Sequence, residues 1–245
     1  MATEHIVRSY DEELQRLETM LIRMGGLVEA QLGDALSALG RRDTVLAEAV
    51  IGNDQAIDEL HFDIDEFVVR MLALRQPMAN DLRAIVAALR IAGDLERIGD
   101  YAANISKRTI ALSHSQIIKP LAGVVRMGKV AQQILKEVLD AISRRDADTA
   151  KIAWGRDSEV DEMYTSVFRE LLTYMMEDPR NITPCTHLLF MAKNIERIGD
   201  HATNIAETVY YMVTGEAMRE RRPKRDTTSF TDPDELNRPG ERGGA

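Results

Sequence analysis

The segment ERIGD occurs at residues 96–100 and again at 196–200. In a helix, Glu96 and Asp100 lie one turn apart on one face, as do Glu196 and Asp200. Like charges at that spacing cost a few tenths of a kcal/mol, roughly, unless something opposes them. Three kinds of chemistry could do so. Basic side chains of neighbouring helices are one, with Arg75, Arg83, Arg97 and Lys107 available. A hard cation or iron is the second, since carboxylates at i and i+4 present oxygen ligands from one helix face. A basic surface on a partner protein is the third. Asp54/Asp58 and Asp157/Asp161 repeat the spacing elsewhere in the chain, which makes Asp58 and Asp161 further candidate ligands. Asn104 and Asn204, one turn beyond each motif, extend the same face.

Enzymatic readings of these carboxylates can be tested directly. A metal-dependent hydrolase or oxidase would use them with histidine ligands, and a ferritin-type di-iron centre needs Glu-x-x-His on two helices. The five histidines are His5, His61, His114, His187 and His201, and none lies three residues after a glutamate. No phosphate-cradling glycine loop, Gly-x-Ser-x-Gly elbow or His-Glu-x-x-His helix occurs. Cys185 is the only cysteine and falls beside an expected helix start, so it is expected to be packed rather than nucleophilic. The chain reads as a non-enzyme.

The elements that must position the acids come in duplicate. Residues 24–43 align without gaps on 127–146 at an offset of 103. Met24/Met127, Gly25/Gly128, Leu32/Leu135, Leu36/Leu139, Ala38/Ala141 and the two Arg-Arg-Asp triplets coincide. The same offset carries Asp54-x-x-Ile57-Asp58-Glu59 onto Asp157-x-x-Val160-Asp161-Glu162, and an offset of 100 carries residues 94–105 onto 194–205. Each copy is expected to form three helices, near 5–39, 44–74 and 79–113, then 118–142, 147–177 and 184–214. Arg41-Arg42 suits the negative end of a helix, and Asp43 can cap the next helix, as Asp146 can in the second copy. Thr183-Pro184 reads as an N-cap with proline at the first helical position. Gln76-Pro77 and Asp178-Pro179 break the chain. Such short connections make antiparallel neighbours. The expected fold is all-α: six helices as two tandem antiparallel three-helix bundles, residues 5–115 and 116–215, followed by a disordered tail over 216–245.

Helical phase sorts the third helices. With Leu95 at zero and roughly 100° per residue, Ala84, Ala88, Ile91, Ile98, Ala102 and Ile105 form one apolar stripe. Met191, Ile195, Ile198, Ala202 and Ile205 repeat it. Glu96, Asp100 and Asn104 fall on a separate face, which carries Leu82, Ile85, Val86 and Leu89 nearer the N-terminus. The helix is therefore expected to begin buried all round and to turn acidic partway along. Gly99 and Gly199 sit where a missing side chain lets another helix or an ion approach. The second helix carries a heptad-like stripe of Ile57, Leu60, Ile64, Phe67, Met71 and Leu74.

Composition narrows the class. With 5% aromatics and no strand-like clusters, the 245 residues have a long-helix composition. The formal charge is −9, and residues 216–245 hold seven basic and seven acidic side chains, so the body carries the whole excess. That argues against a nucleic-acid surface and suits cations or basic partners. A single cysteine points to a reducing compartment. The charged N-terminus lacks an apolar signal region, and no run of 18 apolar residues is present, so a soluble, cytoplasmic protein is expected.

The two ERIGD segments, each with Asn-Ile four residues on, stand with Arg75-Gln76-Pro77-Met78-Ala79-x-Asp81-Leu82-Arg83 and Met176-Glu177-Asp178-Pro179-Arg180. In this order, within a duplicated six-helix frame, they resemble the PhoU family over residues 5–215. The resemblance implies a bacterial cytoplasmic regulator, commonly a homodimer, that restrains the phosphate-starvation response and controls phosphate uptake. The implied partners are the sensor histidine kinase of that response and the ATPase subunit of the phosphate ABC transporter, with membrane contact only through them. It also implies metal at Glu/Asp-x-x-x-Asp motifs, here Glu96/Asp100 and Glu196/Asp200, the cation being divalent or iron. Arg75, Asp81, Arg83, Arg97, Arg180 and Arg197 lie within or beside the matching motifs and are candidate partner contacts.

Overall fold

The computed structural model describes residues 2–113, 115 and 119–218, and they form a succession of helices. These are α1 (Ala2–Arg41), α2 (Thr44–Arg75), α3 (Ala79–Leu112), α4 (Leu121–Arg144), α5 (Ala147–Gly155), α6 (Asp157–Glu177), a 3-10 turn (Pro179–Asn181) and α7 (Ile182–Thr214). Helices α1–α3 form one antiparallel three-helix bundle, and α4, α5/α6 and α7 form the other. Glu216–Met218 has no regular structure. The remainder of the expected disordered tail lies outside the described residues.

The duplicated Arg-Arg-Asp triplet does two jobs at each α-α corner. Arg42 and Arg145 take the left-handed conformation that closes the preceding helix, with φ of 56° and 51°. Asp43 N–H reaches back to Ala38 O at 2.9 Å, and Asp146 N–H to Ala141 O at 3.0 Å. This is the six-to-one bond of a Schellman motif, made here without the usual glycine. The aspartates then cap the next helix: Asp43 accepts from Leu46 N–H, and Asp146 from Asp148 and Thr149 N–H. The guanidinium of Arg42 does not serve its own helix. It donates to the carbonyls of Leu112, Ser113 and Ser115, so it clamps the C-terminal end of α3 to the corner.

Four expectations change. The helix expected over 147–177 is interrupted at Arg156, whose N–H bonds to Ala153 O rather than four residues back. Its side chain is held on both sides, 2.6 Å from Glu137 on α4 and 3.1 Å from Glu159 on α6. The counterpart Gly52-Asn53 runs unbroken through α2, so glycine alone does not cause the break. Thr183 is not a cap, because α7 begins at Ile182 and Asp178 caps the preceding 3-10 turn through Arg180 N–H. Leu74 closes the α2 stripe in sequence but is 72% exposed, whereas Ile57, Leu60, Ile64, Phe67 and Met71 are buried. Finally, α3 does not begin buried all round. Leu82 and Leu89 are exposed while Ile85 is fully buried, since no helix of the described chain covers that side.

The apolar stripes behave as their phase requires. Ile91, Leu95, Ile98, Ala102 and Ile105 are fully buried, and so are Met191, Ile195, Ile198, Ala202 and Ile205. Each buried Leu or Ile contributes about 1.5–3 kcal/mol by leaving water. One hydrophobic core runs through both bundles. The copies meet where α3 lies against α7 and α1 against α4. At the α1–α4 seam the duplication is reciprocal: a Cβ on Gly25 would collide with the Leu139 side chain, and one on Gly128 with Leu36. Each copy's glycine seats the other copy's leucine, which is why both residues recur at the same offset.

Candidate metal centre

Each acidic platform is built on two helices. In the first copy Gly99 lets α2 come close, its missing Cβ lying 3.2 Å from Ile57 Cδ1 and 3.5 Å from Asp54 Oδ1. The gap admits the neighbouring helix. Gly199 does the same for Val160 on α6, at 3.4 Å. The close approach brings Asp58 near Glu96 and Asp54 near Asp100 in the first copy, and Asp161 near Glu196 in the second.

The carboxyls register one another. Burial pushes Glu96 above the ordinary range, and Asp100 and Asp58 push it further, while Arg97 and His61 oppose them. Asp54 is raised by burial and by Asp58 and Asp100, against a 2.8 Å hydrogen bond from Gln31 Nε2 and a weaker pull from Lys107. Glu196 is raised by burial, with Asp200 and Asp161 adding to it and Lys193 pulling it down. In each platform, taking carboxylates out of water and placing them together disfavours their charged forms.

The platforms differ in depth and in what answers them. Asp58 is exposed, and Asp54, Glu96 and Asp100 are half-buried. In the second copy Asp157 is 1%, Asp161 3% and Glu196 6% exposed. Thr203 Oγ1 donates to Asp157 at 3.1 Å. Arg97 lies 3.4 Å from both Glu96 and Asp100, with its side chain 58% exposed. Its counterpart Arg197 turns away and stacks over the Tyr101 ring at 5.8 Å. Glu196 Oε1 instead accepts from Lys193 Nζ at 2.9 Å, while Oε2 is buried without a hydrogen-bond partner among the described residues.

Other candidates are placed as follows. Asn104 and Asn204 are half-buried one turn beyond the motifs. Arg75 forms a two-pronged pair with Glu13 on α1 at 2.8 Å, so it serves the first bundle rather than the acidic face. Arg180 is exposed and paired with Asp178 at 2.7 Å. Asp81 and Arg83 line a groove of about 250 Å³ between the ends of α1, α3, α4 and α7, together with Glu18 and Arg145 over an apolar floor. Lys193, Gln31 and Thr203 are polar partners that helical phase does not identify. Lys193 has one sequence signal, since its counterpart in the first copy is Gly93.

The donor chemistry suits a hard cation: oxygen ligands, excess negative charge and one orphaned buried oxygen at Glu196. Among the described residues, however, no three His, Cys, Asp or Glu side chains converge closely enough to hold an ion as they stand. Binding requires the carboxylates to turn from their present basic partners. Cys185 is fully buried, and burial raises its thiol above the ordinary range. His201 is engaged across the seam, its Nδ1 2.7 Å from Asp94 Oδ1.

A model of the PhoU domain matches this chain twice, over residues 21–109 and 124–209. The chain belongs to the PhoU family. Curated relatives named phosphate-specific transport system accessory protein PhoU homolog include one from Caulobacter vibrioides (strain NA1000 / CB15N). It is 53% identical over 228 residues, 93% of this chain and 99% of its own. Another, from Rhizobium meliloti, is 53% identical over 94% of this chain and 97% of its own. The fold is similar to the crystal structure of PhoU from Pseudomonas aeruginosa, with a TM-score of 0.83 at 43% identity, covering 84% of this chain and all of that one. The phosphate transport system regulatory protein PhoU from Streptococcus pneumoniae superposes with a TM-score of 0.79 at 32% identity, over 85% of this chain and 99% of that one. One matched segment falls within each of the two copies read from the sequence. No helix among the described residues is long and apolar enough to cross a membrane.

Proposed function

We propose that this protein is a cytoplasmic, non-enzymatic adaptor that restrains the phosphate-starvation response and phosphate uptake. In this reading it relays the state of the phosphate ABC transporter's ATPase to the sensor histidine kinase, and a homodimer is the working form. The observation that carries the reading is the near end-to-end match, at 53% identity, to relatives named for the phosphate-specific transport system. Relay of this kind needs no chemistry, only differential affinity for two states of a partner.

The acidic platforms supply a physical means. A divalent or iron cation, held by Glu96 and Asp100 with Asp58 and Asn104, or by Glu196 and Asp200 with Asp161 and Asn204, would neutralise the mutual repulsion at each site. It would thereby tie α2 to α3, and α6 to α7. Residues 5–115 and 116–215 act as the two working units. Asp81, Arg83, Arg97, Arg180 and Arg197 remain the partner-contact candidates, while Arg75 is committed to Glu13.

The association can be tested on tagged protein from phosphate-replete cells. Co-purification of the transporter ATPase or the kinase is expected, weakened by charge reversal at Arg83 and Arg97. Recovery of neither from crosslinked cells would remove the adaptor reading.

A further inference from the structure

The second platform already contains a cation of the protein's own. Lys193 Nζ sits 2.9 Å from Glu196 Oε1 and 4.9 Å over the ring of Tyr164 on α6, so the ammonium is fixed against both helices. The acid it meets, Glu196, is nearly fully buried, as is Asp161, which together with Asp200 adds its charge to Glu196. Glu196 Oε2 stays buried and without a partner among the described residues, so the platform retains unused capacity for positive charge. The equivalent position in the first copy is Gly93, and there Glu96 and Asp100 meet the exposed Arg97 at 3.4 Å. An exposed pair of that length is weak, because solvent screens it.

We propose that Lys193 is a tethered occupant of the second platform. It competes with a divalent cation for Glu196, so the two acidic motifs, alike in sequence, take cations with unequal affinity. The first platform is the open one; the second is a deeper site closed by its own ammonium. The inference rests on the cation reading of the motifs given above. A tethered ammonium that opposes an ion makes uptake at the second site depend on whatever displaces Lys193.

The test uses full-length protein and Mn²⁺, with free ion counted by electron paramagnetic resonance. Wild-type protein is expected to bind one strong equivalent, lost in Glu96→Gln/Asp100→Asn. Lys193→Met keeps the stem over Tyr164 and removes only the charge; it is expected to tighten the second equivalent at least tenfold. Adding Glu196→Gln to Lys193→Met should abolish that gain, and because it removes both members of the ion pair, neither is left without the other, which provides a folded control. Two equivalents of equal strength in wild type, or no change in Lys193→Met, would overturn the role of Lys193 and leave the cation reading standing. Absence of Mn²⁺ binding in every variant would overturn both.

Discussion

Gly128→Val is expected to destabilise the protein by about 2 kcal/mol, through overpacking at the seam between the two copies. A Cβ at this position runs into the Leu36 side chain, which is itself 3% exposed and closed in by the core. Leu36→Ala alone is expected to cost about 3 kcal/mol, because it leaves a cavity. Combined, the two substitutions should cost clearly less than their sum, since the added valine fills the space the leucine vacates. Gly25→Val and Leu139→Ala should show the same coupling with a smaller amplitude, because Leu139 is only half-buried. Urea unfolding of the four singles and two doubles measures this. Strictly additive costs would mean that the copies do not meet through these residues.

The second large effect concerns Glu196. Burial, with help from Asp200 and Asp161, raises its folded-state pKa above the ordinary value of 4.5. At a pH below that value, both folded and unfolded states hold the proton and the group contributes nothing. As pH rises, the unfolded chain ionises first, so stability falls until the folded carboxyl ionises as well. Above that point the full cost persists. Glu196→Gln removes it and should therefore stabilise the fold at neutral pH by on the order of 1 kcal/mol. The gain should vanish at the acid end, where wild type and variant carry the same charge at this site. Releasing the partly exposed Lys193 ammonium to solvent offsets little. Thermal melts across pH give the difference curve. A variant less stable than wild type at every pH would show that the Lys193 pair outweighs the burial of the charge.

Much of this architecture was legible in the sequence, because duplication and helical phase are local properties. The offset of 103 between Gly25 and Gly128, and between Leu36 and Leu139, marks residues that both copies keep. It does not show that each glycine faces the other copy's leucine, which depends on how α1 crosses α4. The caps at Asp43 and Asp146 follow from short-range hydrogen bonds and were readable. The break at Arg156 depends on Glu137, 19 residues away on α4, and was not. Phase placed Leu74, Leu82 and Leu89 on apolar lines, but burial needs a covering helix, and none among the described residues covers them. At the platforms the carboxylates were visible from their spacing. What answers them was not: Arg97, Arg197 and Lys193 choose among partners by rotamer and depth, so one motif written twice gives two different sites.

In the proposed reading the molecule acts by binding and by holding helices rather than by catalysis. The most direct measurement is phosphate-starvation gene expression in cells lacking this chain, grown in phosphate-rich medium. High expression is predicted, returning to the repressed level when the wild-type chain is restored. Expression that stays repressed without the chain would contradict the regulatory account, whatever its acidic helices bind.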